Sequence, residues 1–159
     1  MKVSEQDLLS INQSIDTVHE MGAQIRKALQ EYSDDHTHDT AWEVQAGVEA
    51  LEVFGSRWTI EILAALYVAG ERRFNELRHL LNGISSRTLS DKLRKCTESE
   101  LIERIVEDGP PIRVSYRLTK HGMICGRLLG PLVAYMKIRN GALEAVSYTH
   151  LRAHETYPH

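Results

Sequence analysis

The residues from Gly83 to Cys96 carry the side chains best suited to binding chemistry. One helical face of this stretch presents short hydroxyls and charges, namely Ser86, Arg87, Ser90, Asp91 and Arg94, with Lys92 and Lys95 on its flanks. Leu89, Leu93 and Cys96 fall at helical spacing on the opposite side, so a helix through them buries one apolar stripe. Ser85 precedes the helix and is a candidate N-cap. Guanidinium and hydroxyl groups in this arrangement suit phosphate oxygens and base edges.

A shorter amphipathic segment, residues 74–81, comes before this stretch, and Asn82-Gly83 indicates a tight turn between the two. Helix, turn and a second helix with cations on its free face is the pattern of helix-turn-helix proteins that bind DNA. An ordinary surface helix with solvated charges shows the same pattern. This stretch alone therefore leaves both interpretations open.

Two β-branched runs follow and predict a hairpin. They cover residues 101–107 and 112–118, and Asp108-Gly109-Pro110-Pro111 turns the chain between them. A hairpin directly after a helix-turn-helix is a wing, which favours the DNA interpretation. Of the three arginines on this wing, Arg113 lies nearest the tip and is the candidate for a minor-groove or phosphate contact.

Further helices are predicted on both sides. Residues 5–31 carry an apolar a/d seam broken at Gly22, which favours pairing with a second subunit, with packing inside the chain as the alternative. Helices are also predicted over 42–54 and from Trp58 to Gly70. A last helix runs from Thr119 to about Asn140; its wide apolar face favours a second subunit, and Gly130-Pro131 should kink or split it.

These elements predict three parts of the chain. Residues 1–41 form an N-terminal heptad helix with a polar linker, and residues 42–140 form the DNA-binding domain. Residues 141–159 lack periodicity, resemble translated adapter sequence and are set apart as a disordered, artefactual tail.

The core of the DNA-binding domain is expected to include Phe74 and the neighbouring leucines, Leu77, Leu80 and Leu81.

The net charge of −3 conceals an asymmetry. Residues 1–54 hold 3 Lys or Arg against 11 Asp or Glu, whereas residues 55–139 hold 15 against 9. The basic part contains the predicted recognition helix, as phosphate binding requires.

Other classes of function find little support. The sequence shows no paired carboxylates, nucleophile elbow, phosphate loop or clustered His/Cys pattern, so neither an enzyme nor a bound cofactor or metal is expected. The Asp- and His-containing residues 33–40 are interpreted as a solvated linker. Without a membrane-spanning run, a secretory pattern or metal-ligand cysteine spacing, the chain is expected to be cytoplasmic and to bind no membrane.

Six ordered blocks resemble one family. They are Gly55–Thr59, Arg73–Leu77, Gly83–Ser90, Leu101–Arg104, Pro110–Tyr116 and Leu118–Gly122. Over about residues 45–138 the chain is similar to the HxlR-type winged helix-turn-helix transcriptional regulators, whose architecture is close to that of the MarR regulators. The resemblance implies a mainly α fold with a small β-hairpin wing, an α+β winged helix-turn-helix, and a homodimer formed through terminal helices.

We therefore expect a dimeric regulator that binds double-stranded DNA at a pseudo-palindromic operator through helix 85–96 and wing 104–117. The predicted DNA-contacting residues are Arg73, Asn75, Ser85, Ser86, Arg87, Ser90, Lys92, Arg94, Lys95 and Arg113. Arg87 is the candidate for a guanine contact, and the lysines with Arg94 are candidates for phosphates. The alternative is a winged-helix module that binds protein through its acidic N-terminal helix. A small-molecule effector also stays open, since no residue marks its site.

Three positions depart from the family pattern. Residues 45–48 replace a Cys-Pro pair through which some members sense oxidants, so that mechanism is not expected here. Cys96 stands in place of a core leucine and is expected to be a buried apolar residue. Glu100 stands where the family usually has glycine, so the bend before Leu101 is expected to differ.

Overall fold

A computed structural model describes residues 3–32 and 40–142 of the chain. The α-helices in these ranges are α1 Glu5–Tyr32, α2 Thr40–Phe54, α3 Arg57–Ala69, α4 Phe74–Leu80, α5 Ser86–Glu98 and α6 Lys120–Lys137, and the strands are β1 Arg72–Arg73, β2 Ile102–Glu107 and β3 Arg113–Leu118. A short π-helix, Ile138–Ala142, follows α6. The order of elements confirms a mainly α winged helix-turn-helix fold. The predicted linker and tail lie largely outside the described residues.

The chain divides into two compact units. The central unit is Thr37–Leu128, and the terminal unit comprises Met1–His36 and Leu129–His159. The helix α6 therefore begins in the central unit and ends in the terminal unit. Within the described ranges, no helix combines the length and the apolarity that crossing a membrane requires.

The core of the central unit is built from one apolar stripe of each of its helices α3, α4 and α5 and from the start of the sheet. Its fully buried side chains are Ile62, Leu66, Leu77, Leu89, Leu93, Cys96, Leu101 and Ile102. Burying a leucine side chain stabilises the fold by about 1.5–3 kcal/mol, so the buried stripe of α5 determines which face of this helix points outward.

The prediction that Leu80 faces the core is wrong. Its side chain, at the end of α4, is 53% exposed, because Leu77 and Leu81 occupy the positions that face the core.

The turn between α4 and α5 agrees with its prediction. Gly83 has a φ of +87°, a conformation that glycine adopts at no steric cost. Ser85 caps α5, since its hydroxyl oxygen accepts the backbone N–H of Thr88 at 3.1 Å. Tight turn and N-cap together set the direction in which α5 leaves the turn.

The three strands form one antiparallel sheet in the order β1-β3-β2. The predicted hairpin is present, with Ile102 opposite Leu118 and Glu107 opposite Arg113. The sequence did not predict β1, whose two residues pair with the other edge of β3. This short strand ties the residue before α4 to the wing.

Helix α6 is continuous through Pro131, so of the two outcomes predicted for this proline, a kink or a split, the split is absent. A proline removes one main-chain hydrogen bond of a helix, and the helical turns before and after it keep their own hydrogen bonds.

The predicted cap at Thr119 is confirmed, since its side-chain oxygen accepts the N–H of Gly122 at 3.0 Å. A Cβ at Gly122 would lie 2.0 Å from the carbonyl oxygen of Leu101, so only glycine allows α6 to approach the sheet this closely.

Glu100 has a φ of 56°, in the left-handed region. Residues with a Cβ pay a steric cost there that glycine avoids. The bend before Leu101 is thus one that a glycine would form without strain.

Candidate nucleic-acid interface

Most of the predicted α5 residues lie together on its exposed face. Leu89, Leu93 and Cys96 anchor the opposite face in the core. Ser86, Arg87, Ser90, Arg94 and Lys95 are exposed, and Lys92 is half-buried. A row of hydroxyls and cations on the outside of a firmly packed helix can contact the phosphates and base edges of one groove.

The hydroxyl of Ser85 is engaged inside the helix. It accepts the Thr88 N–H and donates to Thr88 Oγ1 at 2.9 Å. Its established role here is therefore the cap. A DNA contact by Ser85 stays a prediction, and it would have to use the remaining acceptor capacity of the oxygen.

Arg78 is a residue of this surface that the sequence interpretation missed. It lies in the last turn of α4, and its Nη1 donates to Ser86 Oγ at 2.8 Å. The sequence carries one signal for it, a cation in the last turn of the first helix of a helix-turn-helix. Only the folded geometry shows that this cation reaches across the turn to the recognition helix.

Arg94 carries a partner on its own helix. Its Nη2 lies 3.5 Å from Asp91 Oδ1, and both side chains are exposed. Exposed ion pairs of this kind contribute about 0.2–1 kcal/mol, so a phosphate can displace the carboxylate. Within the described ranges, neither Arg87 nor Lys95 forms an ion pair with a carboxylate.

Arg73 and Arg113 line one cleft at the side of the wing, where β1 pairs with β3. Together with Arg72 and acidic or hydroxyl neighbours they line a cleft of about 150 Å³, whose other residues are Glu71, Glu76, Glu107 and Ser115. The Ser115 hydroxyl donates to the Glu71 carboxylate, and the backbone N–H of Arg73 donates to Glu76 Oε2 at 2.7 Å. Three carboxylates, those of Glu71, Glu76 and Glu107, therefore line the same cleft as these arginines.

The predicted site residues consequently form two groups. One group lies along α5, and the other consists of Arg73 and Arg113 at the side of the wing, with exposed Asn75 in the first turn of α4. The remaining wing arginines differ in their surroundings. Arg117 Nε lies 2.5 Å from Glu103 Oε1, whereas Arg104 faces Tyr116 across the hairpin.

The two cysteines differ in burial, and Cys125 Sγ lies 3.9 Å from both ring nitrogens of His121. Cys96 is buried, as predicted, and burial raises its pKa, while a hydrogen bond with Thr59 and the charge of Lys92 lower it to a smaller extent. Burial also raises the pKa of Cys125. A raised pKa keeps a thiol protonated and slow to react. No group of His, Cys, Asp and Glu side chains among the described residues could hold a metal ion.

Comparison with known proteins places this arrangement among transcriptional regulators. The family model described as HxlR-like helix-turn-helix matches residues 53–140. The HTH-type transcriptional regulator YtcD of Bacillus subtilis is 36% identical over 89 residues, which cover 55% of this chain and 70% of YtcD. An HTH-type transcriptional regulator of Mycobacterium tuberculosis is 44% identical over 73 residues, and this match spans 46% of the chain and 45% of that protein.

A solved structure agrees with these matches. The crystal structure of a transcriptional regulator of the MarR family from Enterococcus faecalis superimposes with a TM-score of 0.57 at 28% identity, covering 68% of this chain and 94% of that chain. The winged-helix architecture is therefore shared with proteins of known structure.

Proposed function

Since the chain belongs to the HxlR-like helix-turn-helix family and is a transcriptional regulator of the helix-turn-helix type, we propose that it binds a pseudo-palindromic operator as a homodimer. Each copy would place α5 in a major groove of duplex DNA and its wing beside the adjacent backbone. The observation that carries this proposal is the division of α5 into a buried apolar stripe and an exposed row of hydroxyls and cations. The two copies would place their α5 helices about one helical turn of DNA apart.

The terminal helices support the dimer. No residue of the 28-residue helix α1 is buried. Its exposed large apolar side chains are Leu9, Ile15, Val18, Met21, Ile25, Leu29 and Tyr32. Four of these, Ile15, Val18, Ile25 and Leu29, belong to the a/d seam, and such a seam becomes stable in water by packing against another helix. A second copy of this chain supplies an identical seam.

The cations divide into two roles in this proposal. Arg87 contacts a guanine, because its guanidinium is exposed at the start of α5 and can bond to two acceptors at once. Arg94, Lys92 and Lys95 contact phosphates. At the side of the wing, Arg73 and Arg113 contribute phosphate contacts of the same kind. Ser86, Ser90 and Asn75 add neutral hydrogen bonds to phosphates or base edges.

Two substitutions on α5 test these roles. The operator is first obtained by selecting duplexes from a random pool with the wild-type protein. Arg87→Ala should reduce the ratio of operator affinity to random-duplex affinity, because a bidentate guanine contact contributes about 1–3 kcal/mol of discrimination. Arg94→Ala should weaken both duplexes alike, because phosphates are the same in every sequence.

Mobility-shift titrations at two salt concentrations provide the measurement, and Arg94→Ala is the matched control. Wild-type affinity should fall as salt rises, since binding releases counterions from the duplex. An unchanged affinity ratio for Arg87→Ala would exclude a base contact by this residue. Affinity that does not respond to salt would exclude binding through phosphates.

A further inference from the structure

Arg78 connects the two helices of the helix-turn-helix. It lies in the last turn of α4, while Ser86 is the first residue of α5, and the guanidinium Nη1 is 2.8 Å from the serine Oγ. Both side chains are exposed. In the described part of the chain no carboxylate pairs with Arg78. Its guanidinium directs one N–H at the neutral hydroxyl of Ser86.

This hydrogen bond determines what the Ser86 hydroxyl can still do. A serine hydroxyl has one hydrogen to donate and an oxygen that accepts. The oxygen of Ser86 accepts from Arg78, and none of the described residues accepts its hydrogen. A charged donor also polarises the O–H bond and makes it a stronger donor. Ser86 therefore presents a donor to the solvent on the exposed side of α5.

The neighbouring serine shows the opposite arrangement. The Ser85 hydroxyl donates to Thr88 Oγ1 and accepts the Thr88 N–H. Two adjacent serines thus have different functions in the same turn: Ser85 closes the helix, and Ser86 is held by a cation from the preceding helix. Their sequence, Ser-Ser, does not distinguish them.

We propose that Arg78 is a positioning residue for DNA binding, which holds the Ser86 hydroxyl as a hydrogen-bond donor for a phosphate oxygen of the duplex. This inference rests on the proposed DNA-binding face of α5. A hydroxyl donor matches the acceptor oxygens of phosphate, and a single hydroxyl discriminates poorly between bases. The contact consequently adds affinity for every sequence, and Arg78 acts through Ser86.

A double-mutant cycle tests this coupling. The probe is a short fluorescein-labelled duplex of random sequence, so the test does not require the operator. Arg78→Met and Ser86→Ala should each weaken binding roughly tenfold, the size of one hydrogen bond to a charged group. The double variant should bind about as well as either single variant, because both substitutions remove the same contact.

Two further variants test whether Arg78 acts by holding Ser86, rather than by its positive charge alone or by supporting the fold. Arg127→Met removes an exposed arginine on α6 and serves as the control for the loss of one positive charge. Ser86→Thr keeps the hydroxyl, so it should bind like wild type when Arg78 is present and like Ser86→Ala when Arg78 is methionine. A residue that only supports the fold would not produce this dependence. Thermal melting of each variant confirms that binding is measured on folded protein.

The outcomes separate the inference from the function on which it rests. If Arg78→Met weakens binding equally with serine or alanine at position 86, Arg78 acts independently of Ser86 and the inference is wrong. The same holds if Arg127→Met weakens binding as much as Arg78→Met does. If the wild-type protein does not bind the random duplex at all, the proposed DNA-binding function itself fails.

Discussion

Helix α5 in the central unit and helix α1 in the terminal unit differ in which side chains they leave exposed. In the central unit the apolar side chains of α5 are buried, and cations and hydroxyls remain outside. In the terminal unit, α1 buries none of its residues and exposes its apolar seam. Apolar surface in water favours contact with other apolar surface, whereas the exposed face of α5 is suited to a charged partner. The difference assigns the two proposed partners, a second copy of the chain and a duplex, to different parts of the molecule.

The largest expected effect comes from breaking the seam of α1. Val18→Asp combined with Ile25→Asp places charges on the seam, so the dimer should dissociate. Operator affinity should then fall by about 10²–10⁴-fold, because each copy loses the advantage of being tethered to the other. Sedimentation velocity and mobility-shift titration measure the two effects.

The matched control for this pair is Gln13→Asp combined with Gln24→Asp, which adds the same charges off the seam. It should stay dimeric. If both double variants remained dimeric, α1 would not be the dimer contact.

A second comparison sets a buried leucine against an exposed one. Leu89→Ala removes a side chain of α5 that is 0% exposed and should lower the free energy of unfolding by about 2–5 kcal/mol. Leu9→Ala makes the same chemical change off the seam of α1, where the side chain is 64% exposed. It should change the free energy of unfolding by less than about 0.5 kcal/mol. Urea denaturation of both variants provides the measurement. Equal losses of stability would remove the distinction between α5 and α1.

Glu100→Gly should change the stability of the protein without changing the exposed face of α5. Glycine relieves a left-handed φ of 56°, a gain of about 1–2 kcal/mol, and part of this gain is lost to the greater freedom of glycine in the unfolded chain. We expect a net stabilisation of about 0.5–1 kcal/mol in thermal melting, with unchanged affinity for DNA. A lower melting temperature would show that the bend does not strain the glutamate.

The smallest expected effect concerns the pair Asp91–Arg94. Asp91→Asn removes the carboxylate 3.5 Å from Arg94 and leaves the cation available to phosphate. Affinity for a random duplex should rise by up to about fivefold, in line with the small contribution of an exposed ion pair, while unfolding stays nearly unchanged. Ser90→Ala is the neighbouring control and should not raise affinity. A weaker complex for Asp91→Asn would indicate that the carboxylate itself contacts DNA.

Much of the fold follows from local patterns in the sequence. The stripe of Leu89, Leu93 and Cys96 and the cap at Ser85 predict α5, because helix periodicity and capping act within a few residues. The β1 strand was not predictable in this way. Two residues, Arg72 and Arg73, carry no periodicity, and they form a strand only because β3 lies beside them.

The sequence predicted which residues form the candidate site, but not which of their side chains contact one another. Sequence spacing correctly placed Arg87, Ser90 and Arg94 on the exposed face of α5. It could not show that Arg78 reaches Ser86, since that contact depends on how the turn directs the two helices. Nor could it show that Arg113 shares a cleft with Glu71 and Glu76, which lie in an earlier part of the chain.

The spacing of the two half-sites tests the central claim most directly. If the terminal helices hold two copies of α5 at a fixed separation, an operator with two half-sites one helical turn apart should bind two copies in a single transition. Inserting about half a helical turn between the half-sites should reduce the affinity to that of a single half-site, because the second α5 then faces the wrong side of the duplex. Equal affinity for the original and the lengthened operator, with one copy bound to each half-site independently, would contradict the account.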